Sequence, residues 1–243
     1  MTEVLRIDGL RFAWPRSAWA LAVPALALDA GERVFLHGPS GTGKSTLLNL
    51  IAGTLLPQAG TVRVAGEDVA KRSGPARDRL RADHLGIVFQ QFNLLPFLSM
   101  VDNVTLPCRF SARRRERALQ RFGSLDAAAR HYLAALGLGD AAQAKRRVIE
   151  LSVGQQQRVA AARALIGGPS LVLCDEPTSA LDTRNRDQFI ELLFAECAAA
   201  GTALLFVSHD LSLAPRFPRQ QALGELAQAE ATRADDASTG AAA

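Results

Sequence analysis

Residues 38–45 read Gly38-Pro39-Ser40-Gly41-Thr42-Gly43-Lys44-Ser45, a G-x-x-x-x-G-K-[ST] stretch. This feature constrains the fold most, because its chemistry works only between a strand and a helix. The run Arg33-Val34-Phe35-Leu36 before it is apolar, and Lys44 to Gly53 after it reads as a helix closed by glycine. Glycines in such a loop let successive backbone N–H groups curl around phosphate oxygens, and the helix N-terminus adds a favourable dipole. Lys44 is then placed to reach the β- and γ-phosphates, and the Ser45 hydroxyl to ligate Mg²⁺.

A phosphate loop of this kind requires a carboxylate at the end of a second strand. Leu171-Val172-Leu173-Cys174-Asp175-Glu176 supplies it. Four apolar residues predict a strand buried on both faces. Asp175 at its end is placed to hold Mg²⁺ through water, and Glu176 to polarise a water attacking the γ-phosphate. Further short strands are expected at 4–7, 61–64, 86–89 and 203–207, with helices near 111–118, 125–138, from 152 and over 184–200. Strands alternating with helices argue for an α/β protein with a parallel sheet. Residues 91–167 read as mainly helical. The closing strands expected after His209 are hard to find, since Pro215 and Pro218 interrupt that region.

The chain has 243 residues, enough for one sizeable core, or for one with a nested lobe. A net charge of +4 is too small to argue for nucleic acid by itself. Cys108, Cys174 and Cys197 show no metal-ligand spacing and read as free thiols of a reducing compartment. Residues 1–14 carry Glu3, Arg6, Asp8 and Arg11, which is unlike a signal peptide. No apolar run reaches the roughly 18–20 residues of a membrane span, so any membrane role is expected to depend on another chain.

A third motif narrows the class. Leu151-Ser152-Val153-Gly154-Gln155-Gln156-Gln157-Arg158 opens a helix in which Ser152 is a natural N-cap. The stretch resembles the signature motif of ABC ATPases, Leu-Ser-Gly-Gly-Gln, and stands just upstream of the Asp-Glu strand as in that family. Val153 replaces the first glycine, which implies a negative φ there. Other marks follow the family's order. Gln90 matches the Q-loop glutamine, which contacts Mg²⁺ and the attacking water. Asp182 in Ser179-Ala180-Leu181-Asp182 matches the D-loop. His209 matches the switch histidine on the γ-phosphate, and Trp14 the aromatic that stacks on adenine. The words Phe89-Gln90-Gln91-Phe92-Asn93-Leu94-Leu95-Pro96 and the triple glutamine 155–157 are similar to the lipoprotein-releasing and macrolide-exporter subgroup.

The resemblance covers residues 3–226. It implies a P-loop NTPase (RecA-like) core over 1–90 and 168–226, with a parallel sheet and an N-terminal antiparallel β subdomain. A helical lobe would be nested at 91–167, within an ABC ATPase domain of 1–226, and 227–243 would form a disordered tail. It assigns nucleotide contact to Trp14 and to Gly38, Pro39, Ser40, Gly41, Thr42, Gly43, Lys44, Ser45 and Thr46. Catalysis falls to Glu176, His209, Gln90 and Lys44. The metal site falls to Ser45, Gln90 and Asp175. Ser152, Gly154 and Gln155 would meet the ATP of a second copy.

ATP and Mg²⁺ are therefore the expected ligands, and a homodimer with an integral membrane permease the expected assembly. It would sit on the cytoplasmic face of the plasma membrane, with no nucleic acid expected. The apolar residues Phe92, Leu94, Leu95, Phe97 and Leu98 would receive the permease, or pack in the lobe's own core. The arginines at 113–117 would form a solvated helix face, or meet lipid headgroups or an acidic partner. The alternative is a non-transport ABC ATPase acting on ribosomes or nucleic acid. A DNA-repair type needs a long coiled coil between the phosphate loop and the signature, and a translation-factor type needs two motif sets in one chain. Neither is present.

Overall fold

The computed structural model describes residues 2–15, 20–140, 146–179 and 181–224. The tail expected at 227–243 and Ala180 of the expected D-loop lie outside them. The chain opens with β1 (Glu3–Ala13), β2 (Ala20–Asp29) and β3 (Arg33–His37), then α1 (Lys44–Ile51), β4 (Ala59–Val64) and β5 (Glu67–Asp68). Next come α2 (Gly74–His84), β6 (Leu85–Val88), α3 (Met100–Thr105), α4 (Pro107–Phe110), α5 (Ala112–Phe122) and α6 (Leu125–Ala135). The last are α7 (Val153–Leu165), β7 (Leu171–Asp175), α8 (Thr183–Ala200), β8 (Ala203–Val207) and β9 (Arg219–Ala222).

Two sheets form. β2, β1, β4 and β5 are antiparallel neighbours in that order, the separate N-terminal sheet. The other sheet runs β6-β7-β8-β3-β9, every pair parallel. β9 is the closing strand that the sequence conceals. Its text, Arg219-Gln220-Gln221-Ala222, is polar because, among the described residues, it is an edge strand paired only with β3.

Side chains of the inner strands alternate between two apolar cores, as the two-residue period of a strand dictates. Phe35, Val172, Cys174, Leu204 and Phe206 face the core shared with α3 and α5–α8. Val34, Leu36, Leu171, Leu173, Leu205 and Val207 face the core shared with α1 and the antiparallel sheet. The parallel sheet is therefore apolar on both faces, which is why its strands read as unbroken apolar runs.

α7 is clamped at its C-terminal end. β6 carries Gly86 where α7 comes closest, and a Cβ there would collide with the Ala164 carbonyl. From α5, the Arg114 side chain donates to Ile166 O (2.7 Å), Ala164 O (2.7 Å), Arg163 O (3.2 Å) and Leu85 O (3.2 Å). It thus satisfies carbonyls that the end of α7 leaves without helical partners. Arg114 is buried, and burial lowers its pKa to about 10. This departs from the solvated face expected of 113–117. Arg113 and Arg115 are exposed, whereas Arg117 donates to Gly168 O at 2.6 Å. The apolar cluster after Gln90 also divides. Phe92 and Leu94 pack on the helical core, while Leu95 and Phe97 are exposed, Phe97 by 75%.

Candidate active site

The loop between β3 and α1 takes its shape from glycine. Gly41 and Gly43 have φ of 81° and 97°, in the left-handed region, and Gly43 is the N-cap of α1. Pro39, Ser40, Gly41, Gly43, Lys44, Ser45 and Thr46 line one cleft of about 850 Å³. Gly38 and Thr42 do not line it; the Thr42 hydroxyl donates to Pro39 O at 2.9 Å. The Lys44 ammonium donates to Gly38 O (2.7 Å) and Pro39 O (2.9 Å), which lays it across the loop with one N–H to spare.

Four further residues singled out from sequence complete this cleft at 90, 175, 176 and 209: Gln90, Asp175, Glu176 and His209. Asp175 ends β7, next to β8 and on the far side of it from β3. Burial raises its carboxyl above the ordinary range. The Ser45 hydroxyl, hydrogen-bonded to it, pulls the other way. Glu176 follows at φ 49°, left-handed although not glycine, its N–H donating to Val207 O at 3.0 Å. Its Oε1 lies 2.8 Å from His209 Nδ1 and accepts the His209 N–H at 3.0 Å. Trp14 reaches the same cleft, 45% exposed and edge-on to Phe12 at 5.2 Å between ring centres.

Residues to which the sequence assigns no role at the site hold these groups in place. The Ser208 hydroxyl contacts Glu176 Oε2 at 3.2 Å and accepts from the Asp210 N–H. The Gln58 side chain bonds both the N–H and the carbonyl of Ala13, fixing the residue before Trp14. Buried Gln157 donates to Pro177 O, tying α7 to the turn after Glu176. Only Gln157 carries a sequence signal, as the last of the triple glutamine, and that signal does not disclose its partner; each of the three works through a residue far away in the chain.

The signature residues do not join this cleft. Ser152, Gly154, Gln155 and Asp182 line a second one, of about 350 Å³, with Arg158 and Leu181. Ser152 Oγ accepts the Gln155 N–H and Gln155 Oε1 accepts the Ser152 N–H, a reciprocal cap that starts α7. Val153 is the first helical residue, with φ outside the positive range and its side chain 51% exposed. Asp182 caps α8 by accepting the Asn185 N–H, a bond that lowers its carboxyl below the ordinary range.

A Mg²⁺ ion prefers hard oxygen ligands and usually takes one or two protein oxygens beside substrate phosphates. The adjoining Ser45 hydroxyl and Asp175 carboxylate fit that habit. Among the described residues no group of His, Cys, Asp and Glu could hold a metal by itself.

A parallel sheet with a phosphate loop at β3 and acids at the end of β7 defines a P-loop nucleoside triphosphatase, its signature helix lining a separate cleft. Residues 22–179 match the ABC transporter family model. The chain belongs to that family, as its ATP-binding ATPase domain. It is 39% identical over 221 residues to the macrolide export ATP-binding/permease protein MacB of Rhodopseudomonas palustris (strain BisB18), covering 90% of this chain and 32% of that protein. It is also 39% identical over 222 residues to the protein of the same name in Chromobacterium violaceum, covering 88% of this chain and 32% of that one. The chain thus spans about a third of the length of the curated relatives it matches. Among solved structures, the ATP-binding cassette MJ0796, as a dimer in a post-hydrolysis state bound to ADP and Pi, superposes with a TM-score of 0.74 at 30% identity. That match covers 90% of this chain and 93% of that one. Among the described residues, no helix is long and apolar enough to cross a membrane.

Proposed function

We propose that this chain hydrolyses ATP at the interface of a homodimer and powers an integral membrane permease by opening and closing that interface. The separation of the two clefts carries the reading. The phosphate loop, Asp175, Glu176 and His209 line one, and Ser152, Gly154 and Gln155 the other. A second copy related by a two-fold axis brings each signature cleft onto the other's nucleotide, and the symmetry closes the pair with two sites. The cassette MJ0796 was solved as a dimer, which supports the arrangement.

In each site the backbone N–H groups at 40–46 cradle the phosphates and Trp14 stacks on the base. Lys44 leaves the loop carbonyls to meet the β- and γ-phosphates. Ser45, Asp175 and Gln90 would hold Mg²⁺, which when bound neutralises charge developing on the phosphate oxygens. Glu176 orients and polarises the attacking water, and His209, fixed by its own bonded N–H, donates toward the γ-phosphate. Both side chains must first give up their contact with each other. ATP joins the two copies, hydrolysis removes the joint, and the resulting population shift is the mechanical output.

Residues 91–167 act as a helical lobe within a core of 1–90 and 168–226. The permease rests on the groove between α2, β6 and α4, where Phe89 and Phe110 are exposed, and on the exposed Leu95 and Phe97 of the segment after Gln90. The macrolide export relatives are named as ATP-binding protein and permease together, which supports such a partner and a place on the cytoplasmic face of the inner membrane.

The test is a pull-down with tagged Glu176→Gln, ATP and Mg²⁺ in solubilised membranes of the source cell. Co-purification of a polytopic membrane protein is expected. Ribosomes or nucleic acid without one would overturn the transport reading.

A further inference from the structure

The turn that follows Gln90 is strained in a particular way. Phe92 and Asn93 have φ of 57° and 47°, consecutive left-handed residues that are not glycine. Such conformations cost free energy and persist only where their surroundings hold them. The turn's neighbours are fixed. Gln90 follows β6, and the buried Asn103 of α3 exchanges hydrogen bonds with both the N–H (2.9 Å) and the carbonyl (3.0 Å) of Leu95.

Between these points one side chain intervenes. Arg163 of α7 donates Nη1–H to Asn93 O and Nη2–H to Phe92 O, both at 2.6 Å. No other donor reaches those carbonyls among the described residues, and Arg163 makes no ion pair among them. Its guanidinium is partly buried, which lowers its pKa to about 10 and leaves it a full cation at neutral pH. In such a setting a charge-assisted bond to a carbonyl is stronger than at the surface. The planar fork gives each of the two successive carbonyls its own nitrogen in a fixed geometry, which the single nitrogen of a lysine does not reproduce.

We propose that Arg163 is a positioning residue of the ATPase site: by gripping the Phe92 and Asn93 carbonyls it fixes Gln90 relative to the signature helix. This rests on the reading that Gln90 works in the nucleotide cleft. Arg163 and Ser152 lie at opposite ends of one continuous helix, separated by about 16 Å at 1.5 Å per residue. The loop that carries Gln90 and the cap that meets the second copy's ATP therefore move as one body. Movement of α7 shifts the glutamine, and anything pressing on the 91–97 turn is felt at Ser152.

The test compares Arg163→Lys, which keeps the charge, and Arg163→Met, which keeps the stem, with the unsubstituted chain. In both variants kcat is expected to fall about tenfold or more, with the ATP dissociation constant unchanged to within about threefold. Amide hydrogen exchange at 91–94 should quicken, while the amides at 40–48 stay as protected as before. A wild-type rate in either folded variant overturns the proposal, and so does unchanged exchange at 91–94. A parallel loss of ATP affinity and of the unfolding midpoint would make Arg163 merely part of the scaffold, and also overturns it. If Arg163→Met does not fold, Arg163→Lys decides. If the unsubstituted chain itself fails to hydrolyse ATP, the proposed function has failed, and exchange at 91–94 still decides the role of Arg163.

Discussion

Glu176 and His209 hold each other: one carboxylate oxygen of the glutamate accepts the histidine's backbone N–H and lies 2.8 Å from its Nδ1. The pair is fixed by the chain's own geometry, with Glu176 in a left-handed conformation and Ser208 on its second oxygen. Replacing the carboxylate by an amide keeps the shape and removes the charge. Glu176→Gln is expected to lower kcat by about 10²–10⁴-fold while ATP still binds. It should elute as a dimer with saturating ATP and Mg²⁺. A monomer under those conditions in gel filtration would contradict the two-copy site.

Lys44 has two tasks, since its ammonium also bridges the carbonyls of Gly38 and Pro39. Lys44→Ala should weaken ATP binding by about 1.5–3 kcal/mol, the worth of a charge-assisted bond. Titration with a fluorescent ATP analogue reads this directly. Unchanged affinity would sink the phosphate-loop assignment.

Arg114 caps the end of α7 from within the core. Arg114→Met removes the donors while filling most of the space, and leaves buried carbonyls without partners. A loss of about 2–4 kcal/mol is expected in urea unfolding. A loss below about 1 kcal/mol would mean that water replaces the guanidinium.

Burial raises all three thiols: Cys108 above the ordinary range, Cys174 well above it, and Cys197 to about 12. The thiolate is the reactive form, so none should react with a disulfide reagent at pH 8 until the chain is unfolded. The linked effect on stability has a definite sign. These groups keep their protons when folded and lose them more readily when unfolded. Their contribution is full below the ordinary thiol pKa and declines as pH rises toward 12. Rapid modification of native protein at pH 8 would contradict this.

The sequence disclosed those parts of the site that are made by neighbours in the chain. Lys44 and Ser45 follow their glycines, Asp175 ends an apolar run, and Ser152 opens a helix with Gln155 three places on; each is a local pattern with a local reason. The rest depends on contacts between distant segments. An arginine in a helix, such as Arg114 or Arg163, reads as surface until the carbonyls it serves are seen to come from other elements. Phe92 and Phe97 look alike in the text, and only the fold sends one onto the core and leaves the other in solvent. β9 could not be found by periodicity, since an edge strand needs no apolar face.

The order of strands also sets a schedule. β3, which presents the phosphate loop, is flanked in its sheet by β8 and β9, residues 203–207 and 219–222. A growing chain thus makes its ATP-binding loop about 160 residues before the strands that support it. Until then the loop belongs to an unpaired segment. A ribosome-bound fragment ending before residue 203 should therefore have no affinity for ATP, although the whole phosphate loop, 38–46, has already been synthesised.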